Sequence, residues 1–192
     1  MSTIITKRQF PHYHQYTMDL AGRPLTLAID GCCAAGKTTL ALRLQQRYGC
    51  PVFHADDYFL QPHQRTQERL QTPGENVDHE RFLQEVLLPA ARGEAALYRP
   101  YLCAQQALGQ AVSVPPARLT IVEGSYACHP ALWPYYHLRI FLTVDPREQL
   151  RRIEARSGPE KLRQFTDRWI PLEEQYFRVF SLPERCDLLL ET

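Results

Sequence analysis

Short, almost continuously apolar runs alternate along the chain with stretches whose apolar residues recur every three or four positions. The apolar runs are typical of strands buried on both faces of a parallel sheet, and they cover 25–30, 51–54, 119–122 and 138–144. Helical spacing follows Thr38 up to a stop at Gly49, and recurs between His79 and Arg92. Strands that alternate with helices predict an α/β fold with a mostly parallel sheet flanked by helices.

The remaining segments predict smaller elements. The runs 95–103 and 110–114 favour strand and are joined across a stretch containing Gly109, which predicts a small β-hairpin insertion. Asp145-Pro146 is a good N-cap and first helical residue for a helix over 146–156. A further helix is expected from 159 towards 180, interrupted at Pro171, before a last strand at 188–190. No repeat or linker divides the chain, so residues 1–192 are predicted to form one domain.

Composition and charge exclude several classes of protein. The 192 residues carry 22 Lys plus Arg against 21 Asp plus Glu, so no global field would attract nucleic acid or an anionic membrane. The opening lacks the apolar core of a signal peptide, and no later run approaches the roughly 18 apolar residues of a membrane helix. We therefore expect a soluble, cytoplasmic protein without nucleic-acid or membrane partners.

The six cysteines are expected to be reduced thiols, because the chain shows no export signal. No Cys-x-x-Cys pair exists, which argues against a zinc site built on cysteine. Four of the six are predicted to be small buried apolar side chains: Cys50, Cys103, Cys128 and Cys186. Near the N-terminus, His12 and His14 invite a metal hypothesis, but a pair without a third ligand is more often a surface or packing feature.

One segment has the Walker A pattern G-x-x-x-x-G-K-[ST], between a buried strand and an amphipathic helix. Its glycines let backbone N–H groups approach phosphates, Lys37 would reach the β- and γ-phosphates, and the Thr38 hydroxyl would coordinate Mg²⁺. The predicted nucleotide-binding residues are Gly31, Cys32, Cys33, Ala34, Ala35, Gly36, Lys37, Thr38 and Thr39. The two cysteines either fill positions that need small side chains, which we favour, or act as thiol sensors activated by the helix N-terminus.

Acidic residues follow two of the predicted strands. Asp56-Asp57 come after the second strand, and Glu123 ends the third. A carboxylate at such a strand end could take the proton from an acceptor hydroxyl and touch the magnesium shell, as a small-molecule kinase requires. The alternatives are a solvated helix cap for the aspartates and a simple strand-ending turn for Glu123.

With these residues in place, the chain resembles the uridine kinase family of P-loop kinases, which includes phosphoribulokinase, pantothenate kinase and nicotinamide riboside kinase. The matching pieces keep the family's order from Leu25 onward: Asp30-Gly31 with the P-loop, Asp56-Asp57-Tyr58-Phe59, Asn76-Val77-Asp78-His79, Tyr98-Arg99-Pro100-Tyr101, Glu123-Gly124, Asp145-Pro146, Arg151-Arg152 and Arg156. The resemblance implies a P-loop NTPase fold with ATP and Mg²⁺ as cofactors. It also implies a lid over 146–170, an acceptor-site hairpin over 95–114 and an N-terminal extension over 1–24.

The resemblance also implies roles for individual residues. Asp56 would be the catalytic base on the 5′-hydroxyl of a ribose, Glu123 would help Thr38 hold Mg²⁺, and Asp78 would bind the sugar hydroxyls. Arg152 and Arg156 would clamp the phosphates together with Lys37, although a solvated helix face has the same four-residue spacing. By the same resemblance, three aromatic residues would line the pocket for the acceptor base: Phe59, Tyr98 and Tyr101. The alternative is that they are ordinary core aromatics.

Two departures from the family fall in the acceptor and lid regions. Leu102 stands where the family commonly carries Asp, and 157–159 follows where many relatives have further basic residues. The sequence therefore predicts ATP-dependent phosphorylation of a nucleoside 5′-hydroxyl, uridine or cytidine first. The alternatives are another small-molecule hydroxyl, such as that of nicotinamide riboside, pantothenate or a sugar phosphate, or a non-catalytic nucleotide-binding regulatory protein. Oligomeric state is left open.

Overall fold

The computed structural model of the chain describes residues 5–6 and 23–192. The predicted extension lies mostly outside these residues, as do His12 and His14. The central sheet has six strands, whose bounds are β1 Ile5–Thr6, β2 Leu25–Gly31, β3 Val52–His54, β8 Leu119–Glu123, β9 Leu138–Thr143 and β10 Leu188–Glu191. Their spatial order is β1-β10-β9-β2-β8-β3, with five parallel strands and β1 antiparallel at one edge. The predicted α/β fold with a parallel sheet is confirmed.

Helices cover both faces of the sheet. Their bounds are α1 Lys37–Tyr48, α2 Gln67–Gln71, α3 over 79–92 (His79–Phe82 and Leu88–Arg92 joined by a π turn, Leu83–Leu87), α4 Pro146–Gln164, α5 Ile170–Phe180 and α6 Leu182–Arg185. The sheet separates two hydrophobic cores, and neighbouring residues of one strand point into different ones. Ala28 packs in the larger core, and Ile29 packs in the smaller core together with residues of α1. Burial on both faces explains why the central strands are almost continuously apolar.

Parallel pairing brings the polar strand ends to one edge of the sheet. In register, Ile29 of β2 lies opposite Glu123 of β8, and Glu123 lies opposite His54 of β3. A short 3₁₀ turn, Ala55–Asp57, follows β3 at this edge. The loop between β2 and α1 starts beside this turn. Here the chain connections diverge to either side of β2. Such a point is the usual ligand position in open α/β sheets.

The hairpin exists, but its turn is not where the sequence indicated. Its outer strands β4 (Ala96–Tyr98) and β7 (Val112–Val114) pair, and its tip is a separate pair, β5 (Tyr101–Leu102) with β6 (Ala107–Leu108). The chain turns at 103–106, and Gly109 lies in the returning arm, where its N–H donates to the Pro100 carbonyl. Proline has no N–H for the ladder, so the first run is split at Pro100.

The backbone of α4 is not helical at Gly158 (φ 82°), which confirms a boundary between the helices predicted over 146–156 and from 159 onward. Two other expectations need correction. The interruption predicted at Pro171 lies earlier, as a π turn over Phe165–Trp169, and Pro171 sits in the first turn of α5, where its missing N–H costs least. Cys103 is exposed at the hairpin turn rather than buried.

Candidate active site

The loop between β2 and α1 depends on glycine. Gly31 has φ 130°, and a Cβ atom there would lie 2.0 Å from the Leu142 carbonyl oxygen, so no other residue fits. Gly36 (φ 90°) and Ala34 (φ 59°) also have left-handed backbone, which turns the loop sharply into α1. Such a loop ahead of a helix N-terminus presents backbone N–H groups to an anion.

Lys37 is held inside this loop. Its ammonium donates to the carbonyl oxygens of Gly31 (2.7 Å) and Cys32 (3.1 Å), and the residue is almost fully buried. Both acceptors belong to the loop itself, so among the residues that the structure describes the charge has no carboxylate partner within hydrogen-bonding distance. A buried lysine held only by neutral carbonyls is suited to bind phosphate.

A hydroxyl and a carboxylate meet at the start of α1. The Thr38 Oγ1 donates to Glu123 and lies 3.2 Å from each of its carboxylate oxygens, and Glu123 is buried. The His54 Nδ1 lies 2.5 Å from Glu123 Oε1, and this hydrogen bond raises the pKa of His54 above its usual range. Hydroxyl and carboxylate oxygens are hard ligands that suit Mg²⁺, so Thr38 and Glu123 fit the predicted metal site.

Asp56 places a carboxylate on the same cavity, in the 3₁₀ turn after β3. Asp56 is solvent-exposed, and its side chain lines the cavity. Desolvation by the surrounding protein raises the pKa of Asp56 to about 6, with Lys37 lowering it and the charges of Glu123 and Glu173 raising it. A pKa of about 6 suits a general base at neutral pH.

The turn after β8 packs directly on this carboxylate. The Ser125 backbone N–H lowers the pKa of Asp56. Gly124 has φ 136°, and a Cβ there would lie 3.1 Å from Asp56 Oδ1. Glycine at this position therefore lets the turn approach the proposed base closely.

A cavity of about 660 Å³ connects the P-loop, Asp56 and the helices of the predicted lid. From α4 it is lined by Arg152, Arg156 and Lys161, and from the π turn by Phe165 and Trp169. The two arginines predicted to share one helix face thus both reach the cavity. Arg152 also donates to the Ala34 carbonyl (3.3 Å), which links the lid to the P-loop.

Known structures with similar folds are P-loop kinases. A possible uridine kinase from Bacillus stearothermophilus superposes with a TM-score of 0.65 at 19% identity, covering 92% of this chain and 95% of the other. A protein assigned as a fructose transport system kinase from Silicibacter sp. TM1040 gives a TM-score of 0.63 at 19% identity, covering 86% and 91%. D-glycerate 3-kinase from Cryptococcus neoformans gives 0.52 at 16%, covering 79% and 78%.

The chain has the P-loop kinase fold. At these identities the likeness concerns the fold alone, and no family model matches the chain. Within the part of the chain that the structure describes, no helix is long and apolar enough to cross a membrane.

The acceptor residues implied by the uridine kinase resemblance are only partly brought together. Phe59 lines the cavity together with Asn76 and Val77. Asp78 instead caps α3, accepting the backbone N–H of Arg81 (3.1 Å) and its Nε (3.2 Å). The role of Asp78 in binding sugar hydroxyls therefore stays a prediction.

The hairpin aromatics stand apart from the cavity. The Tyr98 hydroxyl donates to the Asp57 carboxylate, and the Tyr98 ring packs edge-on against Phe53 at 5.3 Å between centroids. The Tyr101 hydroxyl accepts a hydrogen bond from Arg65 (3.3 Å). Neither tyrosine is among the cavity-lining residues, so their proposed contact with an acceptor base stays a prediction.

The loop cysteines have the character of small packing residues. Cys33 is buried with its Sγ 3.2 Å from the Gln149 amide nitrogen. Burial raises the pKa of both Cys32 and Cys33 above the usual thiol range, more than Lys37 lowers it. Because the thiolate is the reactive form, this supports the packing interpretation over a thiol sensor.

Sequence reasoning missed several side chains that line the cavity, and two of them are charged. Lys161 adds a third lid cation beyond the kink at Gly158, and Glu173 of α5 places a buried carboxylate beside the P-loop. The helical spacing of 159–180 could have placed Glu173 on the buried face with Tyr176 and Phe177. Only the fold shows that this face meets the P-loop.

A cluster outside the cavity resembles a cation site but is explained by hydrogen bonds. Glu75 Oε1 lies 3.1 Å from the Nε2 of His79 and 3.4 Å from that of His129. The Ala131 amide donates to Nδ1 of His129, so a neutral ring carries its proton on Nε2, facing Glu75. Arg69 also lies 3.3 Å from Glu75, and its charge would repel a metal ion.

Proposed function

We propose that the chain is a cytoplasmic, ATP- and Mg²⁺-dependent kinase that phosphorylates the 5′-hydroxyl of a nucleoside, with uridine and cytidine as the first candidates. The observation that carries the proposal is the Asp56 carboxylate, which faces the same cavity as Lys37 and the P-loop with a pKa of about 6. A protein that only senses nucleotide has no need of a base in this position.

The phosphate end of the cavity supports ATP as the donor. The P-loop amides and Lys37 would bind the β- and γ-phosphates, and Arg152 and Arg156 would face them from the lid. Thr38 and Glu123 would hold Mg²⁺, which when bound neutralises charge on the phosphates.

In the transfer step Asp56 orients the acceptor hydroxyl and takes its proton. The acceptor oxygen forms a bond to the γ-phosphorus while the bond from the γ-phosphorus to the β–γ bridging oxygen breaks, which releases ADP. Lys37 and the lid arginines stabilise the negative charge that moves during transfer. Deprotonated Asp56 is the competent form, so this step requires a pH above the pKa of its carboxyl.

The aromatic lining of the cavity supports a flat, uncharged acceptor. Phe59, Phe165 and Trp169 line the cavity with aromatic surface, and Asn76 adds an amide that can donate and accept hydrogen bonds. Aromatic rings stack on a nucleobase, which is worth about 1–3 kcal/mol per base in nucleic-acid complexes.

A second candidate is the same chemistry on another small-molecule hydroxyl, as in nicotinamide riboside, pantothenate or a sugar phosphate. The observation in its favour is that Asp78 is bonded to Arg81 and Tyr98 to Asp57, so neither is free to bind a ribose or a base as the nucleoside assignment assumes.

The test is ADP release from ATP and Mg²⁺ with uridine, cytidine, nicotinamide riboside, pantothenate and ribose phosphates offered separately. We expect turnover that requires one class of acceptor and falls at least about a hundredfold in Asp56→Asn. Turnover with an acceptor other than a nucleoside would replace the first candidate by the second. Tight ATP binding without acceptor-dependent turnover would refute the kinase proposal.

A further inference from the structure

The buried carboxylate of Glu173 connects three parts of the site. Its Oε2 accepts the backbone N–H of Cys33 in the P-loop at 3.0 Å, and its Oε1 accepts the Ser125 hydroxyl at 2.5 Å. Glu173 is only 5% exposed and lies in the first turn of α5, the helix that follows the lid directly. A carboxylate is favoured at a helix N-terminus, which helps explain how this charge is kept buried.

Ser125 continues the connection to the proposed base. Its hydroxyl donates to Glu173, while its backbone N–H lowers the pKa of Asp56 and the preceding residue, Gly124, packs against the Asp56 carboxylate. Glu173 therefore reaches both reacting partners indirectly: the phosphate-binding loop through Cys33, and the acceptor-activating carboxylate through Ser125.

Most of the polar groups in this connection already have protein partners. Both oxygens of Glu173 accept a protein hydrogen bond, so neither needs a substrate to be satisfied. A side chain that binds substrate usually leaves polar atoms available to it, as Lys37 does by bonding only to its own loop. The contacts of Glu173 are instead those of a side chain that holds other parts of the site in place.

We infer that Glu173 is a positioning residue that, through Ser125, fixes the distance between the P-loop and Asp56, and so aligns the γ-phosphoryl group with the acceptor hydroxyl. This inference rests on the proposed function. Phosphoryl transfer depends on such alignment, and a displacement of about 1 Å can cost a hundredfold in rate. The same carboxylate anchors the beginning of α5, so it also fixes where the lid segment ends.

The kinetic test compares Glu173→Gln, Ser125→Ala and their double variant with Glu174→Gln. Glu174 is the next residue of α5 and is exposed, so its variant makes the same change in charge outside the site. We expect Glu173→Gln and Ser125→Ala each to lower kcat about tenfold or more, with KM for ATP and acceptor within about threefold of wild type. The kcat of the double variant should equal that of the less active single variant, because both substitutions break the same connection.

Three kinetic results would overturn the inference. A raised acceptor KM with kcat retained would make Glu173 a substrate ligand rather than a positioning residue. The connection would be refuted if the kcat losses of the two single variants multiplied in the double variant. It would also be refuted if Glu173→Gln had the same kcat as Glu174→Gln. Rates are normalised to folded protein, and Ser125→Ala, which removes a single hydroxyl, carries the test if Glu173→Gln folds poorly.

Hydrogen–deuterium exchange gives a readout that needs no turnover. We expect faster exchange in the P-loop and in 123–127 for Glu173→Ala, and unchanged exchange there for Glu174→Ala. Equal exchange in both variants would refute the connection. If the wild type transferred phosphate to no acceptor, the proposed function would fail, while exchange would still decide whether Glu173 supports these segments.

Discussion

The raised pKa of Asp56 predicts a specific pH dependence of the reaction. The pKa of this carboxyl is raised to about 6 by desolvation, with contributions from the charges of Glu123 and Glu173, against an opposing effect of Lys37. Because the base must be deprotonated, activity should rise with pH through this value. About nine tenths of the molecules are competent at pH 7, about half at pH 6 and about one tenth at pH 5.

An aspartate with an ordinary pKa of about 3.9 would behave differently, since more than about nine tenths would still be deprotonated at pH 5. The assay is kcat/KM for the acceptor from pH 4.5 to 8.5 at constant ionic strength, with ADP measured directly, so that no coupling enzyme sets the limits. Circular dichroism at each pH confirms that the chain stays folded.

Asp57→Asn is the matched control, because it removes a neighbouring carboxylate that bonds Tyr98 and is not among the groups that shift Asp56. The pH profile of kcat/KM for Asp57→Asn should keep its inflection near pH 6, whatever the absolute rate of this variant. A wild-type profile that is flat between pH 5 and 7, or a residual Asp56→Asn activity with the same inflection, would refute the assignment of Asp56 as the base.

Three further predictions concern stability and metal binding. Gly31→Ala should destabilise the fold by roughly 3 kcal/mol in urea titrations, from backbone strain and the contact with the Leu142 carbonyl; an unchanged midpoint would contradict the loop geometry. Burial lowers the pKa of His129 to about 3, so the unfolded chain binds more protons between about pH 6.5 and 3, and stability falls as pH falls. His129→Gln should therefore lose about 2 kcal/mol less than wild type between pH 7 and 5, and equal losses would count against this. Thr38→Ala should need at least about tenfold more Mg²⁺ for half-maximal activity, and an unaltered Mg²⁺ titration would remove Thr38 from the metal site.

Much of the fold could be predicted from the sequence, because its signals are local. Apolar runs identified the central strands, and Gly49 and Asp145 marked helix ends where the backbone and capping hydrogen bonds require them. The errors arose where a local signal had two solutions. Gly109 is compatible with a turn or a strand, and a proline such as Pro171 can end a helix or begin one.

The P-loop and the nearby acids could likewise be predicted, since each follows a strand directly and parallel pairing brings strand ends to one edge. The sequence alone therefore identified the five parallel strands, the phosphate-binding loop and the two acids beside it. The packing of the folded chain sets the partners of side chains that come from distant elements. It bonded Tyr98 to Asp57 and Asp78 to Arg81, and it brought Glu173 to the P-loop across 140 residues of chain. Periodicity shows that a helix face is buried, but only packing decides what that face meets.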